Sequence, residues 1–386
     1  LMIRRPPRST LSSSSAASDV YKRQMPDTYG YDVSEDQARE TLHGIFGSKV
    51  QFLDTSRNYG FGRSEERIGK VLKEIGGIPE GFVISTKLDR NMDTNDFDGE
   101  RARRSLEESL SALGLDRLQL VHLHDPEYAK DLDQVRGDQG SLKALFQMKE
   151  EGLIEAVGLA AGKVEVMMEL LKDWEFDAMI THNRYTLINR NANKLIDLAN
   201  EKNVTVLNAA PYSSGVLAKG SDTCRRMVYM EASDEMLEPV KKIEEVCQKH
   251  QIPIGAAALQ FSMKSEKIAS TICGISQPDQ IQQTLDWAEY PISEEAWNEL
   301  MGLEASDQDP EAKFILEEFP QLKFENIEDI HSANIKSKYP EKIVDPKLSA
   351  DFARNKIWNI RKSEQFKSIA KQVYLKHGSR LGRRSR

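Results

Sequence analysis

Residues 49–76 read KVQFLDTSRNYGFGRSEERIGKVLKEIG and contain one complete strand–helix unit. The unit begins with Lys49–Ser56, an apolar run of strand length. Four later apolar residues recur at the i, i+3, i+4 and i+7 positions, which share one face of a helix. They are Ile68, Val71, Leu72 and Ile75. The stretch therefore predicts a strand, a connecting loop and an amphipathic helix over 62–76.

The same alternation continues along the chain. The other strand-length runs are Gly81–Leu88, Leu118–Asp125, Ala156–Ala161, Ala178–Tyr185, Val204–Pro211 and Ala269–Ser276. Helical periodicity follows or precedes them at 34–47, 98–115, 163–174 and 236–251, and the first of these begins with a capping-box pattern from Ser34 to Gln37. Near-continuous apolar runs are typical of strands that are buried on both faces of a parallel sheet.

Repeated strand–helix units predict an α/β fold, and seven strands over this length fit a (β/α)8 TIM-type barrel. The helix at 34–47 has no clear strand before it, so we expect a barrel that lacks its first strand. An open doubly wound sheet is the alternative architecture. It is disfavoured because no G-x-G-x-x-G sequence follows any of the strands.

The 386 residues carry a net charge of −8, and three segments of the chain differ in the sign of their own net charge. Residues 25–311, the predicted barrel, hold 31 Lys and Arg against 51 Asp and Glu, which argues against a nucleic-acid-binding body. Residues 1–24 are basic and Ser-rich and resemble translated sequencing-adapter text, so we expect them to be non-native; a transit-type peptide is the alternative. Residues 312–386 form a basic C-terminal extension without an assigned role.

Two further features exclude classes of protein. The chain has no apolar run of about 18 residues, which predicts that it does not span a membrane. Its three cysteines are odd in number and lack metal-ligand spacing, which favours a reducing cytoplasm and no metal site. We therefore expect a cytoplasmic protein without nucleic-acid or membrane partners.

Catalytic side chains of a barrel lie at the carboxyl ends of its strands. Asp54, Tyr59, Lys87 and His124 all fall at or just after such ends, so they are expected to meet at one face. A Lys ammonium favours the phenolate form of a neighbouring Tyr, an Asp holds the Lys in place, and a His polarises a substrate oxygen. Such a site moves a proton at a carbonyl or alcohol oxygen but needs a separate hydride carrier.

The run FLDTSRNYGFGRSEERIGKVL, followed by STK and LHDP, resembles the signature of the aldo-keto reductase superfamily. GVLAKG, the segment Ile254–Phe261 and GISQPDQIQQTL are also similar, so the resemblance covers about 28–305. HDP, NRYTLI and AWNEL look closest to a sugar dehydrogenase branch. That branch includes D-threo-aldose 1-dehydrogenase, L-fucose dehydrogenase and pyridoxal 4-dehydrogenase-like proteins.

This resemblance implies hydride transfer between nicotinamide and a carbonyl or hemiacetal carbon of a small aldose or carbonyl substrate. It makes Tyr59 the proton donor or acceptor, Lys87 and Asp54 its tuning pair, and His124 the orienting group. His122 is interpreted as a buried strand histidine. Two alternatives stay open: a non-catalytic cofactor-binding protein, and an inactive fragment truncated at strand one.

The resemblance also implies the cofactor contacts. Asn183 is expected to meet the carboxamide, and the stretch around Tyr212, Ser213, Gly215 and Leu217 the pyrophosphate. Ala209 stands where many members carry an aromatic ring, so Tyr212 is the alternative stacking partner. The residues of the adenosine-phosphate region are Gly274, Ser276, Gln280 and Thr284. NADP-preferring members commonly have Lys and Arg at the first and third of these, so NAD is favoured over NADP.

Overall fold

The computed structural model describes residues 10–13, 33–60, 62–92, 94–227 and 230–303. The chain divides into two compact units, 1–308 and 309–386, of which only the first contains described residues. The predicted extension 312–386 lies outside them, as do residues 1–24 apart from the short segment 10–13. The division into adapter, barrel and extension therefore stays a prediction.

Eight parallel strands form a closed barrel, which confirms the predicted fold class. Around the barrel the strands follow one another in chain order, and the last pairs with the first. They are β1 (Thr10–Ser13), β2 (Phe52–Asp54), β3 (Val83–Leu88), β4 (Leu118–His124), β5 (Ile154–Ala161), β6 (Ala178–His182), β7 (Thr205–Ala209) and β10 (Ser270–Cys273). A small antiparallel hairpin, β8 (Arg226–Met227) and β9 (Met230–Glu231), lies outside the barrel.

The seven strands read from the sequence are all present, which fits a barrel without a first strand of its own, and the short segment Thr10–Ser13 occupies the remaining place as β1. Thr10–Ser13 pairs in parallel along four residues of β10 and at one position with Leu53 of β2. The physical reason is that an open barrel leaves unpaired N–H and C=O groups on two edges. Pairing there uses the backbone, so a segment without a strand-like apolar pattern can fill it.

Helices lie between the strands in the expected places. Their bounds are α1 (Glu35–Phe46), α2 (Arg63–Ile75), α3 (Gly99–Leu113), α4 (Asp133–Arg136), α5 (Ser141–Glu150), α6 (Val164–Asp173), α7 (Asn193–Glu201), α8 (Val216–Lys219), α9 (Asp234–Lys249), α10 (Ile254–Met263), α11 (Asp279–Ala288) and α12 (Glu294–Gly302). Among the described residues, no helix is both long and apolar enough to cross a membrane.

The predicted capping box at α1 is only half formed. The Ser34 side chain accepts a hydrogen bond from the backbone N–H of Gln37, as a capping residue should. The Gln37 side chain does not return to Ser34; its Nε2 donates to the carbonyl of Ser276, at 2.9 Å. A tertiary acceptor 239 residues away thus takes the place of the local one, and it links α1 to the loop after β10.

Alternate strand residues point into the barrel, where they form an apolar layer. This layer contains Leu120, Ala160, Ala178, Ile180, Leu207 and Ile272. The residues further along β2, β3 and β4 that point the same way are polar. Asp54 is paired in register with Ser85, and Lys87 with His122, so these buried side chains form a polar layer at the carboxyl ends of the strands.

Candidate active site

The four predicted tetrad residues lie together at the carboxyl end of the barrel. Lys87, on β3, is buried and its Nζ is 2.6 Å from Oδ2 of Asp54 on β2. The same Nζ lies 4.7 Å from the centre of the Tyr59 ring. The His124 ring stands edge-on to the Tyr59 ring with 5.9 Å between the ring centres. One ammonium, one phenol and one imidazole therefore adjoin within a single site.

Local structure explains how the tyrosine reaches this point. The chain leaves β2 at Asp54 and turns before α2, whose preceding residue Gly62 has a φ of 91°. A Cβ at Gly62 would also overlap the guanidinium of Arg57. This turn holds Tyr59 beside the ends of β3 and β4, and glycine is suited to it because it accepts positive φ without strain.

Beneath the tetrad, a chain of hydrogen bonds holds the ion pair in place. Ser85 Oγ donates to Asp54 Oδ1 at 3.1 Å and lies 3.1 Å from His122 Nδ1. Because the single hydroxyl proton goes to the carboxylate, His122 Nδ1 is the donor of the second bond. Lys87 Nζ also donates to the carbonyl of Thr55 at 2.6 Å. Both charges of the buried pair are thus hydrogen-bonded, as such burial requires.

His122 is the buried strand histidine that the sequence predicted, with no exposed surface. Burial and the nearby charge of Lys87 lower its pKa well below the usual value, so it is neutral. A Cβ at Gly158 of β5 would overlap its ring. Glycine at this position therefore makes room for the histidine inside the barrel.

His124 is held between two carboxylates. Its Nδ1 is 2.5 Å from Asp89 Oδ1 and its Nε2 is 3.7 Å from Asp125 Oδ2. Burial by itself would lower the pKa of His124, but the charges of Asp125 and Asp89 outweigh it and raise the pKa above the usual range. This histidine therefore accepts a proton more readily than an isolated one.

Asp89 was missed in the sequence, although a signal for it exists. It follows Lys87 by two residues and lies just after β3, and residues two apart on a strand point the same way. A second missed carboxylate is Glu127, in the loop after β4. Its Oε1 accepts from the N–H groups of Gly162 and Lys163, at 2.8 and 3.2 Å, just before α6.

Comparison with known proteins agrees with this geometry. The model of the Aldo/keto reductase family matches residues 24–305. The chain belongs to the aldo/keto reductase family. It is therefore an oxidoreductase of a family that generally uses a nicotinamide cofactor, and its substrates are small carbonyl compounds or aldoses.

Similar relatives include two sugar dehydrogenases and one pyridoxal dehydrogenase. D-threo-aldose 1-dehydrogenase of Pseudomonas sp is 30% identical over 295 residues, which cover 69% of this chain and 88% of that protein. Pyridoxal 4-dehydrogenase of Microbacterium luteolum is 26% identical, with the same coverage. L-galactose dehydrogenase of Arabidopsis thaliana is 28% identical over 66% of this chain and 78% of its own length.

A solved structure has the same fold. The holo form of an aldo-keto reductase from Bacillus halodurans superposes with a TM-score of 0.62, at 19% sequence identity. The match covers 78% of this chain and 94% of that protein. The barrel of this chain therefore agrees with a solved structure in its three-dimensional arrangement as well as in its sequence pattern.

The part of this aldo/keto reductase expected to hold the nicotinamide has a suitable polar group. Asn183, directly after β6, is buried with a φ of 58°. Its Nδ2 lies 3.3 Å from His182 Nδ1, and its Oδ1 has no hydrogen-bond partner among the described residues. A buried amide oxygen needs a donor, and the carboxamide N–H₂ of nicotinamide would supply one.

The predicted pyrophosphate stretch follows β7 and has an unusual backbone. Ala210, Ser213, Ser214 and Gly215 all have positive φ angles, between 45° and 100°. Such a run is rare outside glycine and marks a segment whose path is set by tertiary contacts. Leu217, on the short helix α8, is fully buried in the core formed by α8, α9, α10 and α12.

The side chain of Tyr212 is directed towards the helices. Its ring packs edge-on against Trp287 with 5.9 Å between centres, and its hydroxyl lies 3.9 Å from the Cys273 thiol. Burial and Cys273 raise its pKa well above the usual value, so the hydroxyl stays protonated. These contacts favour a packing role for the side chain over stacking on the cofactor.

Of the predicted adenosine-phosphate residues, Gly274 and Ser276 lie in the loop between β10 and α11, whereas Gln280 and Thr284 lie on α11. Gln280 Oε1 accepts hydrogen bonds from the backbone N–H groups of Ser276 and Gln277, and Thr284 Oγ1 donates to the Gln280 carbonyl. Gln280 therefore shapes this loop. From Gly274 to Gln280 the only charged residue is Asp279, so the loop itself carries no cation for a 2′-phosphate.

Proposed function

We propose that this enzyme transfers hydride between nicotinamide and the hemiacetal or carbonyl carbon of an aldose, with Tyr59 as general acid and base. The observation that carries the proposal is the position of Lys87 Nζ, 2.6 Å from the Asp54 carboxylate and 4.7 Å from the centre of the Tyr59 ring. A buried ammonium so close to a phenol favours its phenolate form. Asp54 holds the ammonium in that place.

In the oxidative direction, the phenolate oxygen of Tyr59 takes the proton of the substrate hydroxyl. The electron pair of the C–H bond leaves as hydride and the C–O bond becomes a carbonyl, so an aldose yields an aldonolactone. The bound nicotinamide supplies the hydride acceptor, or the hydride donor in the reverse direction. His124, edge-on to Tyr59, faces the same oxygen and orients it.

A polyhydroxylated substrate suits the charged groups around this site. Asp125, next to His124, is half-buried and lies 4.0 Å from Arg90. Carboxylates and guanidinium groups recognise hydroxyls by hydrogen bonds. The relatives' names, an aldose dehydrogenase and a galactose dehydrogenase, support the same substrate class. NAD is the favoured cofactor because the loop 274–280 offers no positive charge.

The test is NAD-dependent turnover of the full chain with L-fucose, D-arabinose, L-galactose and pyridoxal, each repeated with NADP. We expect reduction of NAD with at least one aldose and a higher kcat/KM with NAD than with NADP. Tyr59→Phe should lower kcat by about 10²–10⁴-fold, the usual contribution of general acid–base catalysis.

The matched control is Tyr290→Phe, which removes a hydroxyl that donates to the Gln251 carbonyl. It should leave kcat unchanged. Full activity of the Tyr59 variant would refute the mechanism. Tight NADH binding without turnover of any of the substrates would instead point to a non-catalytic cofactor-binding protein.

A further inference from the structure

Asp89 is a buried carboxylate whose two oxygens face two different parts of the site. It is 2% exposed. Oδ1 contacts His124 Nδ1 at 2.5 Å, and Oδ2 accepts from Ser56 Oγ at 2.5 Å and from the backbone N–H of Asn58 at 2.7 Å. Burial disfavours its charged form, but His124 and these donors prevail and lower the pKa of Asp89, so it is ionised.

An ionised carboxylate accepts hydrogen bonds and cannot donate them. His124 must therefore carry a proton on Nδ1, and in its neutral form the lone pair is on Nε2. That nitrogen lies on the side of Asp125 Oδ2, 3.7 Å away. A proton that arrives at Nε2 creates an imidazolium whose charge is compensated by the carboxylate at Nδ1.

The second oxygen of Asp89 binds the loop that carries Tyr59. Ser56 and Asn58 both lie in this loop, and Asn58 is the residue directly before Tyr59. A single carboxylate thus sets the position of the loop of the proposed acid–base tyrosine and the orientation of the neighbouring imidazole. The Asp89 backbone is itself fixed, because its N–H donates to Ser105 Oγ at 2.9 Å.

We propose that Asp89 is a positioning residue that holds His124 as its Nδ1–H tautomer and stabilises its imidazolium next to Tyr59. The proposal rests on the proposed function for its catalytic meaning. It places the proton acceptor of His124 at Nε2, on the substrate side. During oxidation, the proton that Tyr59 takes from the substrate hydroxyl can pass to Nε2 and leave from there to solvent, with Asp89 remaining ionised.

Other titratable groups, some of them charged, also face His124. They are Tyr59 from the loop after β2, Lys87 from β3, His122 from β4, Asp125 and Glu127 from the loop after β4, and His182 from β6. Lys87 opposes a charge on His124, and Asp125 favours it. Among the described residues, only Asp89 is hydrogen-bonded to His124 Nδ1. Substitution of Asp89, and not of the other groups, should therefore alter the tautomer of His124.

The experiment is a ¹⁵N NMR titration of histidine-labelled full chain, as wild type, Asp89→Asn and Asp125→Asn, with His124 assigned by loss of its signal in His124→Gln. We expect neutral His124 to be the Nδ1–H tautomer in the wild type and in Asp125→Asn. In Asp89→Asn the amide N–H₂ donates to Nδ1, so His124 should become the Nε2–H tautomer. Its affinity for a second proton should fall at least tenfold. The Asp125 variant should lower the affinity without a change of tautomer.

Turnover supplies the second measurement. Asp89→Asn should lower kcat about 100-fold at pH 7 while the Kd for NADH stays within twofold of wild type. An unchanged tautomer in Asp89→Asn would overturn the proposal and leave Asp89 as a loop anchor only. If that variant does not fold, the wild-type spectrum decides, because an Nε2–H tautomer there also overturns it. The spectra need no turnover, so an inactive wild type would refute the proposed function and not this assignment.

Discussion

Glu65 predicts an unusual dependence of stability on pH. This residue of α2 has no exposed surface, and its Oε1 accepts a hydrogen bond from Thr86 Oγ1, next to Lys87, at 2.6 Å. Burial raises its pKa from 4.5 to about 7, against the opposing effect of the hydrogen bond from Thr86. The folded protein therefore retains a proton on this carboxyl at pH values where the unfolded chain has lost it.

The sign of the effect follows from this difference in bound protons. The stability that Glu65 contributes is fully present below its unfolded pKa of 4.5 and is lost as the pH rises through its folded pKa of about 7. Between these two values the folded state holds a proton that the unfolded state has already released. One pKa unit corresponds to about 1.36 kcal/mol, so the displacement of Glu65 amounts to about 3 kcal/mol in total. Most of this, about 2–3 kcal/mol, should appear between pH 5 and pH 8.

Glu65→Gln should remove this dependence. Glutamine is neutral at every pH, and its side-chain oxygen can still accept the hydrogen bond from Thr86. We expect the variant to gain about 2–3 kcal/mol of stability relative to wild type as the pH rises from 5 to 8. The assay is urea unfolding of both proteins across this range, followed by tryptophan fluorescence. Glu66→Gln is the matched control. The Glu66 carboxylate is next in the chain but exposed, so its loss should leave the pH dependence of stability unchanged. A constant difference between Glu65→Gln and wild type at all pH values would refute the reasoning.

Two other substitutions test the polar layer. Lys87→Met leaves the Asp54 carboxylate buried without its ammonium and should cost about 3–5 kcal/mol in urea unfolding, whereas adding Asp54→Asn should restore part of this loss. If Lys87→Met alone were as stable as wild type, the Lys87–Asp54 pair would not be strongly coupled. Gly158→Ala forces a Cβ against the His122 ring and should cost about 1–3 kcal/mol, seen as a lower Tm. Gly302→Ala, with open space around its Cβ position, should stay within the error of wild type, and an equal effect of both changes would be against the proposed overlap.

Secondary structure was predictable because its signals are local. Apolar runs bounded by Gly, Pro, Asn or Asp indicated the seven strands β2–β7 and β10, and a 3.6-residue period indicated the main helices. Parallel strands buried on both faces leave few closed arrangements, so the barrel followed from the order of the elements. The proximity of Asp54, Tyr59, Lys87 and His124 followed from the rule that all parallel strands end at the same face.

Other features depend on which residues meet across the fold. The backbone pairing of β1 with β10 joins residues about 260 apart and leaves no trace in the pattern of Thr10–Ser13. Gln37 has a local partner in the sequence, but its side chain binds Ser276. Tyr212 was read as part of the cofactor stretch, and the packing of its ring against Trp287 is visible only in three dimensions.

The sequence by itself thus determined the barrel, the end of the barrel where the chemistry lies, and the residue types available there, because each depends on short-range periodicity and on strand polarity. Only the tertiary structure decided which side chains of the site are charged and which groups donate hydrogen bonds to them. Asp89 and His124 are 35 residues apart in the chain, and their 2.5 Å contact arises because β3 and β4 are neighbours. Burial then sets the pKa directions of His122, His124 and Glu65, and burial is a property of the whole fold.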